Sequence, residues 1–187
     1  WAPSSDTFGG LVGNSVDDTV LTEYKLNMNT GAVQIIPMTG TPSVEFPRVH
    51  PALLGRPTRY GFASGLVSVG VIFNSLVKFD LVERAVAGVI ELPPHLTIGE
   101  AIPLPKTTDS SGGAGDRDGS DEVYLSVFVF NAQTAITEWH LYDGESMASE
   151  PVTRAIFPSH LRVPYGFHGS FIAEEQLAQH LKNKKID

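Results

Sequence analysis

The sequence of 187 residues contains no cysteine. This absence excludes disulfide bonds, thiolate metal sites, zinc ribbons and cysteine nucleophiles together. Cations are also scarce: 13 Lys and Arg stand against 21 Asp and Glu, which gives a net charge of −8. A nucleic-acid-binding surface relies on clustered cations, and this composition argues against one. We therefore expect no nucleic acid among the partners of this chain.

Long helical segments are lacking as well, and the one convincing helical stretch is Glu174–Lys182, near the end of the chain. The 18 Gly and 13 Pro residues favour turns and short strands over long helices. A hydrophobic content of 42% is enough for a packed core, and the length suits one domain or part of a larger one. We predict an all-β fold in which residues 1–187 belong to a single domain.

Short apolar segments bounded by turn residues predict several strands. Val20–Leu26 and Ala32–Met38 flank a turn at 29–31 and predict a hairpin. Glu122–Asn131 is the strongest candidate, and its apolar residues on both faces predict a central strand that is covered on both sides. Further strands are predicted at Arg59–Ser64, Leu76–Asp80, Val86–Leu92, Ala135–Tyr142 and Val152–Phe157.

The run Tyr60–Val77 carries no charge over 18 residues, the lower edge of a membrane-spanning length. Its glycines and small polar residues are spaced as in a strand–turn–strand unit, so we predict no transmembrane helix here. The sequence leaves open whether the complete protein makes a peripheral contact with a membrane. It shows no signal peptide, and we expect a cytoplasmic location, although the chain begins at Trp1 rather than Met.

The segment Thr107–Asp121 is acidic, Gly-rich and of low complexity, which predicts a mobile surface loop between strands. Its acidic residues superficially suggest a calcium loop that starts at Asp116. An EF-hand loop requires its glycine at the sixth position and a helix on each side. Here Gly119 falls at the fourth position and strands are predicted on both sides, so a solvated loop is the favoured interpretation.

Several motifs that mark common active sites are missing. The chain has no P-loop, no G-x-G-x-x-G and no H-E-x-x-H, and Gly61–Gly65 reads G-F-A-S-G rather than G-x-S-x-G. No two histidines lie two or four positions apart, so no local pair presents a metal site. A metal site would have to be assembled from distant segments. The histidines are His50, His95, His140, His160, His168 and His180.

One histidine stands out by its surroundings. His168 lies in Val163–Ser170, V-P-Y-G-F-H-G-S, where Pro164 fixes a turn and Gly166 and Gly169 permit a close backbone approach. A neutral imidazole in such an apolar segment suits a divalent metal ligand. A packed, hydrogen-bonded turn histidine is the alternative that the residues alone leave open.

A carboxylate stands out in a similar way. Glu45 lies between the apolar residues Val44 and Phe46, so strand alternation would place it on the opposite face from them. On a face that forms a site, Glu45 could accept a hydrogen bond from a metal-bound imidazole, a common supporting contact. The alternative is a glutamate at a strand edge that pairs with Arg48 or Arg59.

These segments belong to an ordered set of motifs. In this order they resemble the C-terminal portion of the carotenoid cleavage oxygenase family, which includes carotenoid, apocarotenoid and lignostilbene dioxygenases and the animal retinoid isomerase. The resemblance runs from about Thr22 to Phe171. The motifs are E-F-P-R-V-H-P at 45–51, G-R-P-T-R-Y-G-F at 55–62, L-V-K-F-D-L at 76–81, G-E-A-I-P-L-P at 99–105, E-V-Y-L-S-V-F-V-F at 122–130, E-P-V-T-R at 150–154 and R-V-P-Y-G-F-H-G-S-F at 162–171.

The resemblance implies the fold and the metal centre. It implies the C-terminal blades of a seven-bladed β-propeller, incomplete in this chain, with an Fe(2+) ion that four histidines hold on the propeller axis. His168 matches the last of those four histidines. Glu45 matches one of the glutamates that accept hydrogen bonds from the ligating histidines, and Phe167 is a candidate for the lining of the substrate tunnel.

The resemblance also implies the reaction. It is the oxidative cleavage of a conjugated C=C bond by O2, which gives two carbonyl products from a carotenoid, an apocarotenoid or a stilbene. The partners are then an apolar polyene or stilbene substrate and O2, and no organic cofactor is required.

The chain departs from the family in its ligand set. No other histidine matches the three remaining iron ligands, and His50 stands where asparagine is common in the family. We therefore expect those ligands upstream of Trp1, and we expect the isolated 187-residue chain to be inactive and insoluble or partly folded. The alternatives are a catalytically silent propeller remnant or scaffold and an unrelated all-β binding module.

Overall fold

The described part of the chain consists almost wholly of β-strands. A computed structural model describes residues 19–66, 72–106, 119–164, 168–174 and 176–178. A single 3₁₀ turn within these residues covers Pro51–Leu53, and Glu174 and residues 176–178 are helical. The strands are β1 (Thr22–Leu26), β2 (Val33–Pro37), β3 (Val44–Val49), β4 (Tyr60–Leu66), β5 (Phe73–Asp80), β6 (Ala85–Glu91), β7 (Leu96–Ile98), β8 (Ile102–Pro105), β9 (Val123–Asn131), β10 (Ile136–Asp143) and β11 (Thr153–Ile156). The all-β prediction is confirmed.

The strands form two successive antiparallel units and a separate hairpin. In the first unit β3, β4, β5 and β6 pair in chain order. In the second unit β9, β10 and β11 pair in order, and both β7 and β8 pair with the free side of β9. The pair Phe73–Ile98 joins the two units into a sheet of nine strands in the described residues. Among the described strands, β1 and β2 pair only with each other. Two successive antiparallel units of this kind agree with consecutive propeller blades.

The predicted strands lie close to the observed ones, but the prediction for β9 was wrong in one respect. β9 is central, since it pairs on both edges. Of its two faces, only the one with Val123, Leu125 and Val127 is fully buried within the described residues. On the other face Phe128 is 49% exposed and packs its ring against Phe157. The apolar residues on the second face of β9 are therefore only partly covered, by the segment that carries Phe157, and are not fully buried.

The core lies between the two units. It is formed by aromatic residues of β3, β4 and β5 against aliphatic residues of β9, and burial of such side chains is the main stabilising contribution. Its fully buried large members include Phe62, Phe73, Leu76, Ile90, Ile98, Leu125 and Val129. Phe46 of β3 belongs to this core and also contacts the candidate functional site.

The far end of the predicted surface loop is buried. Positions 107–118 lie outside the described residues, but Ser120 and Asp121 are almost completely buried. The Ser120 hydroxyl accepts a hydrogen bond from the Tyr60 amide at 2.9 Å, and Asp121 pairs with the buried Lys78 ammonium at 2.8 Å. These two turn residues are therefore held by partners in β4 and β5, and the mobility predicted for 107–121 stays a prediction.

The uncharged run at 60–77 forms strands where it is described. β4 and β5 occupy 60–66 and 73–80, and positions 67–71 between them lie outside the described residues. Among the described residues, no helix has the length and apolar character needed to cross a membrane. The strand–turn–strand interpretation accounts for both strands.

Acid should destabilise the full-length protein through Asp80. Burial alone would raise the pKa of Asp80, but hydrogen bonds from the Glu83 amide, Arg59 and the Val82 amide outweigh it, so the pKa lies below its ordinary value. A lowered folded-state pKa contributes stability above about pH 4, which is lost as the pH falls through the folded pKa. The Asp80→Asn variant should therefore be less stable near neutral pH and lose less stability on acidification. Urea unfolding at several pH values tests this, and parallel pH profiles would contradict it.

Candidate functional site

His168 lies against the edges of both units. The chain leaves β11 and returns at 168–171 to the region of β3 and β8, where the imidazole meets the Phe46 ring edge-on with centroids 5.7 Å apart. Its Nδ1 atom lies 3.3 Å from Oε1 of Glu100. The side chain is 65% exposed. Phe46 and Glu100 thus orient the imidazole.

Glu100 is the central group of this site. It sits between β7 and β8, and its side chain is only 4% exposed. Its Oε2 atom accepts a hydrogen bond from the Gly169 amide at 2.7 Å. Its Oε1 atom accepts a hydrogen bond from Nε of Arg48 at 2.7 Å, and Nη2 of Arg48 lies 2.7 Å from the same oxygen in an ion pair. The carboxylate therefore ties β3 to the segment that carries His168.

The electrostatics of the site keep Glu100 ionised. Burial alone would raise the pKa of Glu100, but hydrogen bonds from Arg48, the Gly169 amide and His168 outweigh it and hold the pKa below its ordinary value. The pKa of Arg48 is raised in turn, chiefly by its hydrogen bonds to Glu100. An ionised carboxylate beside an imidazole favours the tautomer in which Nδ1 carries the proton. Nε2 is then the ring nitrogen that would ligate a metal.

A bulge in β3 explains how this strand reaches the site. The β3–β4 register shifts between Glu45 and Arg48, and Phe46 adopts a positive φ of 58°. Such a φ is uncommon for a bulky residue, and β-bulges re-aim side chains near functional sites. Because of the bulge, Phe46 contacts His168 while Arg48 reaches Glu100. On the neighbouring strand, the buried Ser64 hydroxyl donates to the Gly99 carbonyl at 2.9 Å and fixes the turn before Glu100.

The structure does not bring Glu45 into contact with His168. Glu45 is half-buried on β3, opposite Ser64. No hydrogen bond or ion pair of its side chain occurs within the described residues. The proposed pairing with Arg48 or Arg59 is wrong, since these arginines pair with Glu100 and Asp80 instead. The role of Glu45 beside a different imidazole stays a prediction.

Two further predictions are located as follows. Phe167, the proposed tunnel residue, lies outside the described residues. His50 is a loop residue as expected, since its Nδ1 atom accepts a hydrogen bond from the Ala52 amide and caps the 3₁₀ turn. Glu100 was not predicted as a site residue, although it lies in the motif G-E-A-I-P-L-P at 99–105. The signal that could have identified it is an acidic residue at the start of an otherwise apolar segment.

A buried histidine, His140, forms a closed network elsewhere. His140 on β10 bonds through Nε2 to Glu138 at 2.9 Å and through Nδ1 to the Tyr142 hydroxyl at 3.0 Å. Burial, together with the nearby charges of Glu150 and Glu138, raises the pKa of Tyr142 to about 12, so its hydroxyl stays protonated. Both ring nitrogens of His140 are thereby engaged. This network braces the interior of the second unit and is no candidate for a ligand site.

The donor chemistry at His168 fits one position of a metal site. Metal-ligating histidines characteristically donate their other ring N–H to a carboxylate, which orients the ring and raises its basicity. The Glu100–His168 contact has this form. Across 19–66, 72–106, 119–164, 168–174 and 176–178, no group of three or more His, Asp and Glu side chains converges as a metal site would require. The described residues would therefore contribute one histidine and its carboxylate to such a site.

Comparisons with known proteins identify the family of this chain. The family model described as Retinal pigment epithelial membrane protein matches residues 4–173. The carotenoid 9,10(9',10')-cleavage dioxygenase 1 of Pisum sativum is 32% identical over 196 aligned positions, which cover 96% of this chain and 34% of the relative. The apocarotenoid-15,15'-oxygenase of Synechocystis sp. is 28% identical over 129 positions, which cover 68% of this chain and 24% of the relative.

Solved structures show the same fold. The cobalt-substituted apocarotenoid oxygenase of Synechocystis superimposes with a TM-score of 0.66 at 24% identity, over 81% of this chain and 29% of that one. The chain thus spans about a third of the length of the curated relatives it matches. Its sheet corresponds to the C-terminal blades of a β-propeller, as predicted. The chain belongs to the family of carotenoid cleavage oxygenases that the Retinal pigment epithelial membrane protein model describes.

Proposed function

We propose that this chain is the C-terminal part of a non-haem iron(II) dioxygenase that cleaves a conjugated C=C bond with O2 and yields two carbonyl products. The contact between His168 and the buried Glu100 carries the proposal. It is the pairing expected of a metal-bound imidazole, and it occurs in a chain whose relatives are named as carotenoid cleavage dioxygenases.

The residues of this chain would contribute one ligand and its support. His168 would bind the iron through Nε2, while Glu100 holds the proton on Nδ1 and fixes the plane of the ring. Phe46 restricts rotation of the imidazole by its edge-on contact. When bound, the iron would supply the site for binding and activating O2. The named residues set the position and basicity of one ligand and carry no step of the bond cleavage itself.

The proposed substrate is apolar, a carotenoid, an apocarotenoid or a stilbene. The names of the relatives favour the first two classes, since those proteins are named for carotenoid or apocarotenoid cleavage. Phe167 stays the candidate from this chain for the wall of the substrate tunnel. Assay of the full-length protein with one compound of each class, under O2 and under argon, separates these substrates. Products that form equally under argon would contradict the proposed reaction.

The proposal that the chain works within a longer polypeptide rests on surface as well as length. Tyr24, Leu26, Val33 and Ile35 share one face of the β1–β2 hairpin, and each is more than half exposed. Contiguous exposed apolar surface marks an interaction site. The curated relatives it matches are about three times as long as this chain. Sequencing the transcript upstream of Trp1 should therefore reveal a continuous reading frame with three further histidines near strand ends.

A second candidate function is a catalytically silent propeller remnant. The large exposure of His168, 65%, favours it, as does the absence of a converging ligand group among the described residues. A start codon immediately before Trp1 would support this candidate over the dioxygenase. Iron that co-purifies with the full-length protein would exclude it.

Glu45 provides a test that is independent of His168. In the full-length protein, Glu45→Gln should leave the fold intact and weaken iron binding or turnover by about 10–100-fold, since the amide holds a metal-bound imidazole less strongly than the carboxylate does. Glu91→Gln, at an exposed position of β6, is the matched control. Iron content and steady-state rates measure the effect. Rates equal to those of the control would leave Glu45 as an ordinary strand residue.

A further inference from the structure

We infer that Arg48 tunes the iron centre by limiting the negative charge that Glu100 presents to His168. The inference rests on the proposed function and deepens it, because it assigns a positioning and tuning role to a residue that touches neither metal nor substrate. It is carried by the geometry of the two side chains around a single oxygen atom.

Arg48 and His168 share one acceptor. Both Nε and Nη2 of Arg48 lie 2.7 Å from Oε1 of Glu100, and Nδ1 of His168 lies 3.3 Å from the same atom. The arginine contacts are a short, charge-assisted hydrogen bond from Nε and a short ion-pair contact from Nη2, and the imidazole contact is long. The guanidinium therefore interacts more strongly with Oε1 than the imidazole does. The carboxylate remains ionised but is a weaker acceptor for the imidazole than an unpaired carboxylate would be.

Arg48 also holds the backbone beside His168. Its Nη2 atom donates to the Gly169 carbonyl at 3.2 Å, while the Gly169 amide donates to Oε2 of Glu100. The arginine and the glutamate thus clamp the next residue after His168 from both sides. A planar guanidinium makes these contacts simultaneously, and a lysine ammonium lacks the fork that they need. Arg48 thus acts both on the position of the segment that carries His168 and on the charge of the carboxylate beside it.

This arrangement has a consequence for the bound metal. A stronger acceptor at Nδ1 would give the imidazole more imidazolate character, and a more basic ligand stabilises Fe(III) relative to Fe(II). By weakening that acceptor, Arg48 would favour the ferrous state. Removal of the guanidinium should therefore shift the Fe(III)/Fe(II) midpoint potential to lower values. A purely structural role would reduce iron content without a directed shift in potential.

The experiment compares three variants of the full-length protein. Arg48→Gln removes the charge, Arg48→Lys keeps the charge without the fork, and Arg59→Gln breaks a similar arginine–carboxylate pair away from the site. Arg59 is a close match, with a side chain 39% exposed against 38% for Arg48 and a 2.8 Å contact to Asp80. Each protein is assayed for iron content and for the midpoint potential of the bound iron. Each metal-free form is also titrated with Co²⁺ and followed by visible absorption.

We expect a lower potential in Arg48→Gln, an intermediate value in Arg48→Lys and an unchanged value in Arg59→Gln. We also expect Arg48→Gln to shift the Co²⁺ absorption bands, a readout that remains if its iron is lost. An unchanged potential and an unchanged Co²⁺ spectrum in Arg48→Gln would overturn the inference and leave the proposed function standing. Equal shifts in Arg48→Gln and Arg59→Gln would overturn it as well. Absence of iron from the unsubstituted protein would overturn both the inference and the proposed function.

Discussion

Replacement of His168 with alanine is expected to abolish both iron retention and cleavage activity in the full-length protein. The substitution removes a ligand nitrogen, and no described side chain nearby can replace it, because Glu100 is already bonded to Arg48 and the Gly169 amide. Metal sites lose affinity steeply with each lost ligand, since the remaining donors must bind a less complete coordination shell. Elemental analysis of the purified protein and product analysis by chromatography measure the two losses.

His160→Ala is the matched control for this variant. His160 is exposed in the turn that follows β11 and lies outside every motif assigned to the metal. It should retain iron and activity at the level of the unsubstituted protein. A normal iron content in the His168 variant would refute the ligand assignment, and equal losses in both variants would indicate a general folding defect instead.

Replacement of Glu100 with glutamine is expected to produce the second largest effect. The amide keeps the shape of the side chain but removes the charge that accepts hydrogen bonds from Arg48, Gly169 and His168. Loss of a carboxylate behind a ligating imidazole typically costs about 10–100-fold in metal affinity or activity. A Glu100 variant should also loosen the segment at 168–171, because both the Gly169 amide and the His168 imidazole bond to this carboxylate. Iron affinity and turnover in the full-length protein measure the expected loss.

Glu138→Gln separates the metal effect from the cost of altering a buried carboxylate. Glu138 is as buried as Glu100 and also bonds an imidazole, that of His140, but within the closed network of β10. Both variants should lower the unfolding midpoint in urea, because each weakens a buried hydrogen-bonded carboxylate. Only the Glu100 variant should lose iron. Iron loss of equal size in both variants would attribute the effect to general destabilisation.

Only part of the candidate site could be predicted from the sequence. Some of its residues are marked by their neighbours in the sequence, whereas others are defined by contacts between distant segments. His168 carries a local signal, since a proline and two glycines surround it within a few positions. The role of Glu100 depends on a contact across 68 residues and on a bulge at Phe46, which breaks the alternation that placed Glu45. Sequence periodicity contains neither the long-range contact nor the bulge. The role assigned to Glu45 therefore stays a prediction, and the carboxylate bonded to His168 was not identified from the sequence.

The strands, too, were predicted well only where the local sequence marks them. Strands with clear turn residues at their ends, such as β1, β2 and β10, were predicted within a few residues. β7 and β8 were not predicted, because they contain three and four residues and pair with the same edge of β9. The two faces of β9 were misjudged because aromatic residues such as Phe128 occupy its partly exposed face. The arrangement of the strands in propeller blades was implied by the family resemblance, which carries long-range information that local patterns lack.

The most direct test of the central claim is the iron content of the full-length protein, measured with its O2-dependent products. The account predicts bound iron in the purified protein, two carbonyl products from a carotenoid or apocarotenoid under O2, and loss of both in the His168→Ala variant. Full activity in a protein that retains no iron, or unchanged iron in the His168→Ala variant, would contradict it.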